Sequence, residues 1–169
     1  AIALETAKEL QQRGVEVQRV FIGAQLLGNA AERRAAMSEL AARSNAEIAA
    51  WLSTNSDYTA LTELDALHAD HMGAAYRHDC LAAHRYFIDA LENPPAQKLA
   101  APLTVVIAAD DPNTAAYAHQ YRSWQLLAEQ VDLVELADGG HYFLRTRPAE
   151  AAQAVVRQVE LLPDSSLPV

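Results

Sequence analysis

Near the start of the chain the apolar residues recur at the helical period. Ile2, Ala3, Thr6, Ala7 and Leu10 share one side, Glu5, Lys8 and Glu9 fall largely off it, and Gly14 offers a left-handed stop. Residues 15–22 then pass from alternation into a continuous run of β-branched and aromatic side chains, as in a strand covered on both faces. A helix feeding directly into such a strand predicts one turn of an α/β sheet. From about residue 29 to 95 the pattern becomes helical. Ala35, Met37, Leu40, Ala41, Ile48, Trp51 and Leu52 form a first stripe, the polar cluster at residues 53–57 interrupts it, and Leu61, Leu64, Leu67, Leu81, Tyr86, Phe87, Ile88 and Leu91 continue it until Pro94 and Pro95 close the segment.

The α/β rhythm then resumes. Residues 103–109 read as a second buried strand and end in the polar turn Asp110-Asp111-Pro112-Asn113-Thr114. Tyr117, Tyr121, Trp124 and Ala128 mark a helix with its aromatic face in the core, and residues 131–136 predict a third strand. The turn Ala137-Asp138-Gly139-Gly140-His141 follows. A last helix starts at Pro148, with Ala152, Val155, Val156 and Val159 as its apolar face, and a frayed tail runs from 163 to 169. The expected organisation is a core helix and strand (1–28), an α-helical insertion (29–98), core strands and helices with two polar turns (99–162), and the tail. In fold class this is α/β, a parallel sheet flanked by helices.

Composition narrows the partners. With 169 residues and 51% of them hydrophobic there is enough apolar material for one domain and little for a second. Thirteen Lys and Arg against 22 Asp and Glu leave a net charge of -9, so no broad basic surface can neutralise a nucleic-acid backbone. No apolar run approaches the roughly 20 residues that span a bilayer. Cys80 is the one cysteine, which excludes an intrachain disulfide and fits the usage of a reducing compartment, so a cytosolic location is expected. The chain opens inside a helix with neither an initiator Met nor a capping residue, which predicts that an N-terminal part of the same domain precedes these residues.

Two polar turns offer chemistry. In a parallel sheet the loops at the carboxyl ends of the strands converge on one edge, so the turn bearing Asp110 and Asp111 and the turn bearing His141, 30 residues after Asp111, are expected side by side. A neutral histidine takes a proton from a hydroxyl only when its other nitrogen is held in the right tautomer, and a carboxylate does this while stabilising the imidazolium. Gly139 and Gly140 allow the sharp turn that projects His141. The same dipeptides also serve as plain turns.

These residues resemble the α/β-hydrolase thioesterases, both the free-standing type II enzymes and the thioesterase domains that end nonribosomal peptide and polyketide synthetases. Residues 3–10 are similar to the A-x-E-x-A helix after their nucleophile elbow, Asp111-Pro112 to their acid-bearing turn, and Gly140-His141-Tyr142-Phe143-Leu144 to their G-H-[FY]-F-L histidine signature. Tyr76-Arg77-His78-Asp79 resembles the R-x-D stretch that closes their lid. The likeness runs from about residue 1 to 159, and its histidine turn and lid-to-strand passage are most similar to thioesterase domains of siderophore-making synthetases of the phenyloxazoline synthase (mycobactin) type. It implies a Ser-His-Asp hydrolase with His141 as base and Asp111 as acid, acting on an acyl or peptidyl thioester carried by the phosphopantetheine arm of a carrier protein, with no metal and no cofactor.

In two respects the sequence departs from the pattern. The G-x-S-x-G elbow would fall about four residues before Ala1, and no such motif occurs here, so these residues alone are expected to be inactive. Ser38, Ser44, Ser53, Ser56, Ser123, Ser165 and Ser166 all lack the strand-to-helix setting of a nucleophile. Relatives that carry the acid after the preceding strand would need it at residues 21–26, where no carboxylate stands. The role falls to Asp111 because Pro112 fixes the turn behind it, with Asp110 as competitor and Asp138 read as a solvated turn residue. His68, His71, His78 and His84 with Asp70 and Asp79 are spaced poorly for one metal, and Cys80 reads as a packed side chain. Trp51, Leu52, Tyr58, Leu61, Leu64 and Leu67 either pack lid helices or line an acyl channel. Two other readings stay open: a non-catalytic fragment or carrier-protein docking module, and another α/β-hydrolase such as an esterase or acyltransferase.

Overall fold

The computed structural model describes residues 1–55 and 65–160. In chain order its elements are α1 (Ile2–Gln12), β1 (Val20–Gly23), α2 (Ala30–Ala42), α3 (Asn45–Asn55), α4 (Ala66–Glu92), β2 (Leu103–Ala108), α5 (Tyr117–Gln120), β3 (Val131–Leu136), α6 (Phe143–Thr146) and α7 (Pro148–Glu160). Short 3-10 turns occupy Pro112–Thr114 and Tyr121–Leu126. The chain divides into two units, Ala1–Leu27 with Pro95–Val169, and Gly28–Pro94. No described helix is long and apolar enough to cross a membrane.

The first unit is built on a parallel sheet of order β1-β2-β3, in which Val20 pairs with Leu103, and Leu103 with Val131. β2 lies in the middle and every one of its residues is buried, which accounts for a sequence that is apolar except at Thr104. The first strand is shorter than its sequence predicts. Pairing starts where the Pro102 carbonyl accepts the Val20 amide, and Val15, without a neighbour in β2, is about half exposed. Across the amino ends of the strands Arg19 donates to Thr104 Oγ1 at 2.7 Å and to Asp132 Oδ2 at 2.6 Å, joining segments far apart in sequence.

The flanking helices turn other faces to the core than their periodicity suggests. α1 buries Leu4 and Ala7 and leaves Ile2 exposed, and α7 buries Ala151 while Val156 and Val159 stay exposed. Two adjacent stripes compete on each helix, and the period shows that a stripe exists without choosing the one that meets the sheet. The expected helix after β2 is one α-turn followed by 3-10 structure, with Trp124 fully buried and its Nε1 donating to the Gln25 carbonyl, whereas Tyr117 and Tyr121 are only half-buried.

The second unit packs α2 and α3 against the 27-residue α4. Its helices begin where their caps dictate. Asn29 and Glu32 form a reciprocal capping box on α2, Ser44 and Glu47 do the same on α3, and Asp65 accepts the His68 amide on α4. On α2 the buried position is Arg33, with Ala36, Met37 and Leu40 half-buried on the same face, while Ala35 and Ala41 are exposed. The guanidinium lies 4.4 Å from the centre of the Phe87 ring and within 3.4 Å of His84 Nδ1, so a charged residue completes an apolar stripe by stacking. Tyr58, Leu61 and Leu64 lie outside the described residues. Of the others in the proposed channel, Leu52 is buried and Trp51 and Leu67 are exposed.

Burial, and then the neighbouring Arg33 charge, hold His84 below the ordinary histidine range. In the unfolded chain it would titrate near the usual value of about 6.5, so the folded form resists protonation that the unfolded form accepts. The helical unit should therefore lose stability as the pH falls from about 6.5 through the depressed folded-state value. Histidine NMR titration checks this, and a His84 midpoint at or above the ordinary value would contradict it.

Candidate active site

β2 and β3 end side by side, with Ala108 opposite Leu136 and the Ala109 amide still donating to the Leu136 carbonyl at 2.9 Å. The chain then turns at Asp111, whose amide returns to the Ala108 carbonyl while Pro112 opens a 3-10 turn. The Asp111 side chain is completely buried. Its Oδ1 accepts the Asn113 amide at 2.9 Å, and its Oδ2 accepts the Thr114 hydroxyl and His141 Nδ1, each at 3.0 Å. A buried carboxylate without partners would be very costly, and these three donors compensate it.

His141 reaches this carboxylate from the far side of a glycine turn. Gly139 and Gly140 have φ of +127° and +63°, a left-handed path that side-chain-bearing residues rarely take. A Cβ on Gly139 would lie 2.9 Å from that of Phe143, so the turn packs directly against the base of this buried side chain. Phe143 packs among Val106, Ala108, Leu136 and Ala151, and anchors the loop two residues beyond His141. Thr146 Oγ1 donates to the Gly139 carbonyl at 2.7 Å, and Arg147 pairs with the exposed Asp138. Asp110 does not touch the imidazole. Its carboxylate accepts the Gly140 amide at 2.8 Å and the Gly139 amide at 3.3 Å.

A carboxylate 3.0 Å from Nδ1 places the ring proton on that nitrogen and leaves Nε2, on the opposite side of the ring, as the acceptor. The side chain is about one-third exposed, enough for a reacting group to approach. The Tyr142 and His141 rings stand at a right angle, with centroids 5.1 Å apart. The pair can thus accept a proton at Nε2 and stabilise the resulting imidazolium. In the unit that holds it, the one described serine is Ser123, whose hydroxyl is committed to the Gln120 carbonyl. In the helical unit Ser44 caps α3 and Ser53 donates to the Ala50 carbonyl, while Ser56, Ser165 and Ser166 lie outside the described residues.

The other histidines do not assemble. His68 pairs with Asp65 and His78 with Asp79 on the surface of α4, and among the described residues no three His, Cys, Asp or Glu side chains come together as metal ligands. Burial pushes the Cys80 thiol up, with a Tyr76 hydrogen bond opposing it weakly, which keeps the thiolate scarce. Arg77 of the R-x-D stretch donates to the Arg43 carbonyl at the end of α2. Sequence reasoning missed Thr114 and Thr146 as partners in this site. Thr114 could have been found, since a Thr three residues after an Asp in a proline turn has its hydroxyl in reach of the carboxylate, whereas Thr146 depends on how the loop folds back.

Compared by sequence, the chain matches no protein-family model and no curated protein. Its backbone defines a class nonetheless, the α/β-hydrolase fold. It is similar to a hydrolase from Pseudomonas aeruginosa PA01 (TM-score 0.56, 19% identity, 95% of this chain and 61% of that one). It also resembles the type II thioesterase BorB from the borrelidin biosynthetic cluster (TM-score 0.52, 14% identity, 93% and 60%) and human thioesterase 2 (TM-score 0.50, 15% identity, 96% and 70%). The chain spans about three-fifths of the length of the first two.

Proposed function

We propose that this chain supplies the acid and the base of a serine thioesterase. The observation that carries the reading is the contact between buried Asp111 and His141 Nδ1 at the carboxyl ends of adjacent parallel strands. In this reaction a serine hydroxyl from a segment outside these residues gives its proton to His141 Nε2 as its oxygen attacks the thioester carbonyl. The imidazolium returns the proton to the departing thiolate, and water, deprotonated by His141, then releases the acid from the acyl-enzyme. Backbone amides, also outside these residues, would stabilise the oxyanion. The substrate class we assign is an acyl or peptidyl thioester on the phosphopantetheine arm of a carrier protein, in cytosolic nonribosomal peptide or polyketide assembly of the siderophore kind, with acyl selection assigned to the helical unit inserted between β1 and β2. The resemblance of the histidine and acid turns to that family supports this choice.

The test is hydrolysis by the full-length protein of a carrier-bound acyl thioester and of the matching oxygen ester. The thioester should be preferred at least tenfold in kcat/KM. Equal or reversed preference would reassign the site to an esterase or acyltransferase, and no turnover of either would leave a docking module.

A further inference from the structure

We infer that Asp110 is a positioning residue for His141, its carboxylate holding the amides of Gly139 and Gly140 so that the glycine turn presents the imidazole to Asp111. The inference rests on the reading of His141 as the base. Two consecutive glycines are the most flexible pair a loop can contain, and a turn made of them stays in one geometry only if something outside the pair restrains it. Gly139 is restrained by contact with Phe143 and Arg147, by the Thr146 hydroxyl on its carbonyl, and by Asp110 on its amide. For Gly140, the residue that immediately precedes His141, the restraint is a side-chain hydrogen bond. A Cβ built there would meet nothing within 4 Å, and the 2.8 Å bond to Asp110 Oδ1 is the side-chain restraint on its backbone.

The arrangement makes one dipeptide grip the loop twice. Asp111 takes the imidazole and Asp110, a single peptide unit away, takes the backbone that carries it. The Gly140 amide first, and the Gly139 amide and the nearby Arg147 charge after it, hold the Asp110 carboxyl below the usual carboxylate range, so the acceptor remains charged at neutral pH. Because Asp110 is exposed and outside the core, its removal should act on the placement of the ring more than on the fold.

Two readouts in the full-length protein test this. In Asp110→Ala the Nδ1 proton of His141, followed by NMR, should exchange with water at least tenfold faster, and kcat for the thioester should fall about tenfold with KM unchanged. Asp110→Asn, which keeps one acceptor oxygen for Gly140, should restore part of both effects, and it also serves if the alanine variant folds poorly. Asp138→Ala, on the same loop but bonded to neither glycine amide, should change neither readout. An unaltered His141 proton and unaltered kcat in Asp110→Ala would overturn the inference while leaving the thioesterase reading in place. Faster proton exchange in a protein that hydrolyses no thioester would support the positioning role and reject the reaction.

Discussion

Alanine in place of His141 is expected to lower thioester turnover by the full-length protein about 10⁶-fold, and asparagine in place of Asp111 about 10⁴-fold, with KM in both cases close to that of the native protein. The difference in size follows from the two roles. Without the imidazole no group can accept the serine proton, whereas Asp111→Asn keeps the ring and changes its tautomer. Asn matches Asp in shape, and its single oxygen, in the Oδ1 position, can still accept the Asn113 amide. Its NH2, however, would face His141 Nδ1 as a donor, so that Nδ1 becomes the acceptor and the proton moves to Nε2, where a serine would need a free lone pair. Neither substitution removes apolar packing, and circular dichroism should show both variants folded. Turnover of either within tenfold of the native value would end the catalytic assignment.

Gly73→Ala is expected to destabilise the helical unit by about 2 kcal/mol or more, against the general rule that alanine favours a helix by about 1 kcal/mol over glycine. The sign reverses because α4 meets the first turn of α3 at this residue. A Cβ on Gly73 would lie 2.1 Å from the carbonyl oxygen of Asn45, a backbone atom that cannot swing aside as a side chain can. Relief requires the two helices to separate, which would also disturb the bond between Asn45 Nδ2 and Asp70. Urea unfolding followed by circular dichroism measures the change, and a variant as stable as the native protein would show that α3 and α4 have room to spare.

Much of this fold is legible in the sequence because its signals are local. The apolar stretch at residues 103–109 and the apolar positions of 131–136 specify strands, helical periodicity marks the segment from about 29 to 95, and the proline and glycine turns end the strands. Order along the chain also places the two turns on one edge, since consecutive parallel strands bring their carboxyl ends together. The division of labour between the two aspartates was only partly legible. Pro112 favoured Asp111, but that Asp110 grips Gly139 and Gly140 depends on the path of a loop about thirty residues away in sequence.

What the sequence determined by itself, then, is the order of strands and helical segments and the residue types gathered at the strand ends, since propensity and turn formation depend on near neighbours. Tertiary structure alone decided that β1 begins at Val20, that α1 turns Leu4 rather than Ile2 inward, that Arg33 is buried against Phe87, and that Asp110 holds the backbone of the histidine turn. Each of these outcomes depends on a partner distant in the chain, and no periodicity within a single segment encodes what will lie across from it.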